Sequence, residues 1–291
     1  MSKALVIIKS MGIGDLVILI ANIHAISKSI NNSVVVLTPK STHAASILKH
    51  DPHVEEVLDL DKKGFFNIIK KIKSKNFDQS YIYSDSLRLY LISKFSGIKK
   101  NFQYKFYSKK GKNFYKTARQ FTESLLNIKV NPQPKIFYKD KDVEEARNKF
   151  NISNSVTNIV CGISASGPTK RWDIKNYIKL FENINLKHPS RFFLAGGHKD
   201  EDLITEIMNS SIRKNCISFS KMSIEETIPV IKACKICISN DTGFAHISSA
   251  LGLKCLLLFM DSPPSSYGTY SKNISIIVPE GETIESCGHN T

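Results

Sequence analysis

Four short stretches of this chain combine residue types able to bind or move charge. The densest is Ser239-Asn240-Asp241-Thr242-Gly243-Phe244-Ala245-His246. It follows the apolar run Ile236-Cys237-Ile238 and leads into a segment where Ala245, Ile247, Ala250 and Leu251 keep helical spacing until Gly252. That pattern predicts a strand-to-helix turn. The first backbone N–H groups of a helix lack intrahelical acceptors, and a glycine lets a ligand approach the backbone, so such a turn suits an anion such as phosphate. A plainer use of the same residues is that Asp241 or Thr242 caps the helix.

The second stretch is Ala165-Ser166-Gly167-Pro168-Thr169-Lys170-Arg171-Trp172, after the strand-like run Asn158 to Ser164. Small hydroxyl residues, a glycine and a lysine on one loop offer a diphosphate room, short donors and a point charge. Ser166, Thr169 and Lys170 are the candidates. The third stretch is Gly196-Gly197-His198-Lys199-Asp200-Glu201, closing the run Phe192 to Ala195. Two glycines at a strand end let a base or ribose lie against backbone, and an acid just beyond can accept from ribose hydroxyls. Glu201 is the choice for that role, with Asp200 and Asp202 as competitors. The fourth is Ser10-Met11-Gly12-Ile13-Gly14-Asp15, between a strand at residues 4–8 and an apolar helix from Leu16 to Ile30. Two glycines without a third, with an acid where phosphate would lie, are a weak dinucleotide signal.

Metal chemistry finds little support. Cys234-x-x-Cys237 is the one close cysteine pair, with no second pair or histidine at ligand spacing, so core thiols are expected rather than zinc ligands. His50 and His53 are read as surface residues.

The elements that must position these stretches alternate. Strands are expected at 4–8, 34–37, 80–83, 158–164, 192–195, 236–238 and 255–259, with a further strand after Val54. Helices are expected at 16–30, 64–75, 86–95 and about 143–150, and a loop and helix over Pro39 to His50. Such alternation argues for parallel sheets. At 291 residues the chain can hold two domains. Residues 131–141, with Pro132 and Pro134, are the best linker, giving domains of 1–140 and 141–291. Neither N-terminal apolar run, Ala4 to Ile8 or Leu16 to Ala21, is long enough to span a bilayer or to make a good signal peptide, and a cytoplasmic protein is expected.

Charge is unevenly placed. Residues 1–150 hold 27 Lys and Arg against 13 Asp and Glu, whereas residues 151–291 hold 14 against 13. From Lys99 to Arg119 there are eight basic residues and no acid, interleaved with Phe102, Tyr104, Phe106, Tyr107, Phe114 and Tyr115. A basic aromatic segment suits an anionic acceptor, an acidic lipid surface or a nucleic acid; a lysine-rich solubilising surface is the simpler account.

Taken in order, these motifs resemble glycosyltransferase family 9, the heptosyltransferases of lipopolysaccharide core assembly. Asp241, Thr242, Gly243 and His246 match the family's Asp-Thr/Ser-Gly-x-x-His turn, Lys170-Arg171-Trp172 its Lys-Arg-Trp passage, and Gly14-Asp15 its N-terminal Gly-Asp pair. His50 to Val57 is similar to a further family passage that leads into the third strand. The resemblance implies an α/β protein of the GT-B kind, with two Rossmann-like doubly wound domains facing a cleft. It implies inverting transfer of a heptose or similar sugar from an ADP-sugar onto an anionic, lipid-linked glycan acceptor, with peripheral contact at the inner membrane face and no nucleic-acid partner.

Asp15 would be the catalytic base, the alternative being a helix cap. Ser166, Thr169, Lys170, Asp241, Thr242, Gly243 and His246 would hold the donor diphosphate, and Gly196, Gly197 and Glu201 the nucleoside. Gly14, Lys105, Lys109, Lys110 and Lys112 would face the acceptor. No cofactor or metal is expected, a helix N-terminus and a lysine taking the metal's place. Family members usually finish with further helical sequence, so a shortened C-terminal domain is expected here. A non-catalytic sugar-nucleotide binder and a basic nucleic-acid or membrane binder stand as alternatives.

Overall fold

In the computed structural model, residues 2–9, 12–60, 64–104 and 113–288 are described. The chain divides into two compact units, Met1–Pro134 and Lys135–Thr291, the division falling inside the proline-bearing stretch 131–141.

The first unit runs β1 (Ala4–Ile8), α1 (Ile13–Ser29), β2 (Val34–Thr38), α2 (Ala44–Ile47), β3 (Val54–Asp59), α3 (Phe65–Lys73), β4 (Gln79–Tyr83), α4 (Leu87–Phe95), β5 (Lys100–Gln103) and α5 (Phe114–Leu126). Its sheet is parallel throughout, in the order β3-β2-β1-β4-β5. Every residue of β1 and β2 is buried. That is why they read as unbroken apolar runs, since helices cover both faces of such a sheet. Helix α1 is apolar nearly all round because it is a core helix. By length and composition alone the segment Ile13–Ile30 is apolar enough to cross a bilayer, which the shorter runs did not suggest, yet 61% of it is buried within the protein. α1 packs against α5, and α3 against α4.

The second unit runs α6 (Asp140–Lys149), β6 (Thr157–Gly162), α7 (Ile174–Lys187), β7 (Ser190–Ala195), α8 (Glu201–Met208), β8 (Cys216–Ser218), α9 (Ile224–Ala233), β9 (Ile236–Asn240), α10 (Gly243–Ala250), β10 (Lys254–Leu258), α11 (Pro264–Tyr267) and β11 (Ile274–Ile277). Its parallel sheet has the order β11-β10-β9-β6-β7-β8. Under β6 and β7, Tyr177, Phe181 and Phe192 form a fully buried aromatic row, with Phe181 and Phe192 stacked at 4.3 Å. All six cysteines are buried free thiols, as the sequence led us to expect. Helix α9 begins with a full capping box, Ser223 accepting from the Glu226 amide and Glu226 from the Ser223 amide.

Several elements were not legible in sequence. β5, α5, β8, α8 and β11 went unread, and the expected helix within Pro39 to His50 is a 3₁₀ turn, Lys40–Thr42, followed by four residues of α2. After β10 the described chain forms the short helix α11 and then returns to the sheet. There β11 pairs along β10, and Cys287 sets its Sγ 3.5 Å from the carbonyl of Phe259.

Candidate active site

The second unit's chain order sets the site. From β6 the chain moves outward to β7 and β8, then returns to the other flank of β6 as β9 and continues outward through β10 and β11. Strand order reverses between β6 and β9, and in open α/β sheets ligands bind outside the carboxyl ends of strands at that reversal. The loops that follow β9, β6 and β7 leave from three adjacent strands at this edge. They carry, respectively, Asp241, Thr242 and Gly243; Ser166, Thr169 and Lys170; and Gly196, Gly197 and Glu201. Ser166, Thr169, Gly197 and Glu201 are exposed, Lys170 and Thr242 half-buried.

A residue given no role in the sequence reading ties two of these loops together. Asn240, the last residue of β9, is wholly buried. Its amide nitrogen donates to the carbonyls of Ile163 (3.0 Å) and Ser164 (3.3 Å), and its amide oxygen accepts from the Trp172 N–H at 3.0 Å. Both ends of the Ser166 to Lys170 loop are thus pinned to the turn that carries Asp241. In sequence it shows only as an amide two residues after the apolar run Ile236-Cys237-Ile238.

Beside it, Gly162 ends β6 with no room for a side chain. A Cβ there would stand 1.9 Å from Ser239 Oγ and 2.9 Å from Ser239 Cβ. We expect Gly162→Ala to force β6 and β9 apart and to cost about 1–3 kcal/mol, the usual range for overpacking. Denaturant midpoints check this: a midpoint within error of wild type would mean the strands part freely here.

The simple capping account of the Asp241 turn does not describe α10. Thr242 occupies the N-cap position without a side-chain cap bond, and the first amide bonds onto its carbonyl come from Ala245 (3.1 Å) and His246 (3.4 Å). Those of Gly243 and Phe244 precede them, in the position where helices bind anions. His246 lies behind the turn, 2% exposed. Its Nε2 is 3.3 Å from Asp241 Oδ1 and its Nδ1 is 2.8 Å from the Tyr270 hydroxyl. Of the residues expected at the diphosphate, it is the one whose ring supports the turn.

At the third loop, Asp200 accepts from the Gly197 N–H at 2.9 Å, and its other oxygen lies 3.9 Å from the Arg171 guanidinium. A Cβ on Gly196 would come within 3.1 Å of Asp200. Asp200 therefore shapes the glycine turn, while Glu201 starts α8 in the open with His198 3.4 Å away.

In the first unit, Gly14 and Asp15 lie in the first turn of α1, at the carboxyl end of β1 and so on the same kind of edge. The N-cap is Gly12, so Asp15 is the third helical residue rather than the cap. Its carboxylate folds back to within 3.4 Å of where a Gly12 Cβ would stand. Negative charge is favourable at this end of a helix. Lys105, Lys109, Lys110 and Lys112 lie outside the described residues. Among the described residues no group of three or more His, Cys, Asp or Glu is placed to hold a metal ion. His53 is half-buried against His24 rather than on an open surface, its ring 4.6 Å from that of His24, and burial lowers its pKa.

Solved glycosyltransferases share this two-unit α/β fold. The structure of E. coli ADP-heptose LPS heptosyltransferase II superposes with a TM-score of 0.75 at 19% identity, covering 94% of this chain and 90% of that one. A family 9 glycosyltransferase from Veillonella parvula gives a TM-score of 0.82 at 15% identity, covering 96% and 86%. The fold is that of the GT-B glycosyltransferases. The family model for glycosyltransferase family 9 (heptosyltransferase) matches residues 65–289, and the chain belongs to that family. Lipooligosaccharide heptosyltransferase 2 of Haemophilus influenzae is 29% identical over 130 residues, 43% of this chain. The chain spans 37% to 43% of the length of the curated relatives it matches first.

Proposed function

We propose that this protein is an inverting glycosyltransferase that moves a heptose, or a similar sugar, from an ADP-sugar to a lipopolysaccharide core acceptor. The observation that carries the reading is the convergence of three loops on the β9-β6-β7 edge. One brings hydroxyls and a lysine, one an uncapped helix N-terminus, one a glycine turn with an acid beyond it. The names of the relatives support the sugar and the nucleotide, since one solved relative is an ADP-heptose LPS heptosyltransferase.

In the proposed reaction the acceptor hydroxyl displaces the nucleotide at the anomeric carbon in one step, inverting it. Asp15 takes the hydroxyl proton. Ser166, Thr169, Lys170 and the backbone at Thr242 and Gly243 stabilise the charge that gathers on the departing diphosphate. Glu201 accepts from the ribose, with Gly196 and Gly197 giving the nucleoside room. A lysine and a helix dipole supply the compensation that a divalent cation gives elsewhere. The basic stretch from Lys99 to Arg119 faces the phosphorylated acceptor, whose lipid anchor brings the protein to the inner membrane surface.

Thermal unfolding across a panel of nucleotides tests the donor assignment, because only a ligand of the native state raises stability. ADP and ADP-heptose at one hundred times their dissociation constants should add about 2.7 kcal/mol. Stabilisation by UDP- or GDP-sugars alone would reassign the donor. Absence of any nucleotide effect, together with steeply salt-dependent binding to generic DNA, would favour a nucleic-acid binder instead.

A further inference from the structure

Behind the Asp241 turn runs a buried row of polar side chains from α10 and the segment before β11. Asp241 Oδ1 is 3.3 Å from His246 Nε2, and His246 Nδ1 is 2.8 Å from the Tyr270 hydroxyl. The Tyr270 hydroxyl is hydrogen-bonded to Ser249, whose Oγ is 2.8 Å from Ser271 Oγ. The Asn273 N–H donates to Ser271 Oγ at 3.1 Å. His246, Tyr270, Ser249 and Ser271 are all at most 6% exposed.

The carboxylate end gives the row a direction, since the hydroxyl of Ser271 can accept from Asn273 whichever way the row runs. A backbone N–H can only donate and an ionised carboxylate can only accept. With a neutral imidazole, Ser271 donates to Ser249, Ser249 to Tyr270, Tyr270 to Nδ1, and Nε2–H to Asp241. Burial drives the Tyr270 phenol far above its ordinary range, so it stays a donor. The opposite tautomer would turn the bare Nε2 lone pair toward the carboxylate.

We infer that Tyr270 is a positioning residue for Asp241, acting through His246, whose tautomer it selects and whose ring it aims. The inference rests on the donor-site reading proposed above. Tyr270→Phe keeps the ring that stacks on His246, at 5.7 Å between centroids, and deletes only the donor.

The test joins side-chain ¹⁵N NMR of His246 in the full chain with ADP-heptose turnover and binding. Wild type should show Nε2 protonated and Nδ1 bare, and Tyr270→Phe should show both tautomers. The Tyr270→Phe change should cut turnover with ADP-heptose about tenfold, and it should add no further loss in an Asp241→Asn background, since residues acting as a unit are non-additive. Three results would each overturn the inference: a wild-type His246 with a proton on Nδ1, a Tyr270→Phe protein whose His246 keeps the single wild-type tautomer, or losses that multiply in the double variant. If the protein neither binds nor uses ADP-heptose, the donor reading fails, whereas the wild-type and Tyr270→Phe nitrogen spectra together still decide whether Tyr270 selects the tautomer.

Discussion

Asp15→Asn should leave a folded protein that still binds ADP-heptose but turns it over about 10² to 10⁴ times more slowly, the usual worth of general-base assistance. Asp15 is the third residue of α1, with its carboxylate folded back toward Gly12. As a structural group it contributes a favourable charge at a helix N-terminus, worth about 0.3–1 kcal/mol. An amide of the same shape gives up that charge and keeps the side chain's volume. Loss of a base raises the barrier by several times as much, so the two roles separate cleanly by size. Parallel measurement of melting temperature, ADP-heptose affinity and single-turnover rate checks the claim. A variant that transfers sugar within a fewfold of wild type would move the base elsewhere and leave Asp15 a helix-terminal charge.

Lys170→Ala should weaken ADP-heptose binding and turnover together, because removing a charged donor to phosphate costs about 1.5–3 kcal/mol. That corresponds to roughly 10- to 150-fold in affinity. The residue closes the 3₁₀ turn Pro168–Lys170, and its loop is pinned at both ends through Asn240. The side chain therefore leaves from a fixed backbone, and its removal cannot be made good by the loop shifting. Calorimetric titration with ADP, alongside initial rates, reads both quantities. Equal affinity and equal rate in wild type and variant would remove this loop from the donor site.

What sequence could reveal here followed from burial. β1, β2, β7 and β9 lie inside parallel sheets, so their apolar runs were plain, and the glycine and hydroxyl turns that end them were plain with them. β5 reads Lys-Asn-Phe-Gln and β11 Ile-Ser-Ile-Ile. Both are short edge strands that the sheet covers only in part; β5 gave no warning in period or composition, whereas the isoleucines of β11 favour a strand but are too few to show a period. α5 was hidden because its Phe114, Tyr115 and Lys116 merged with the basic aromatic run before it, although Asn113 accepts from the Lys116 N–H as a regular N-cap. In the candidate site, the residues proposed to meet the donor were legible and those that hold their loops were not. Asn240, Ser239 and Tyr270 act through partners up to 77 residues away in the chain, a relation that no local spacing displays.

The most direct measurement of the whole account is mass spectrometry of a heptose-deficient lipopolysaccharide core acceptor incubated with this protein and ADP-heptose. The account predicts an acceptor heavier by one heptosyl residue, with stoichiometric release of ADP. An unmodified acceptor under conditions where ADP-heptose demonstrably binds would contradict transferase activity and leave a sugar-nucleotide binding protein in its place.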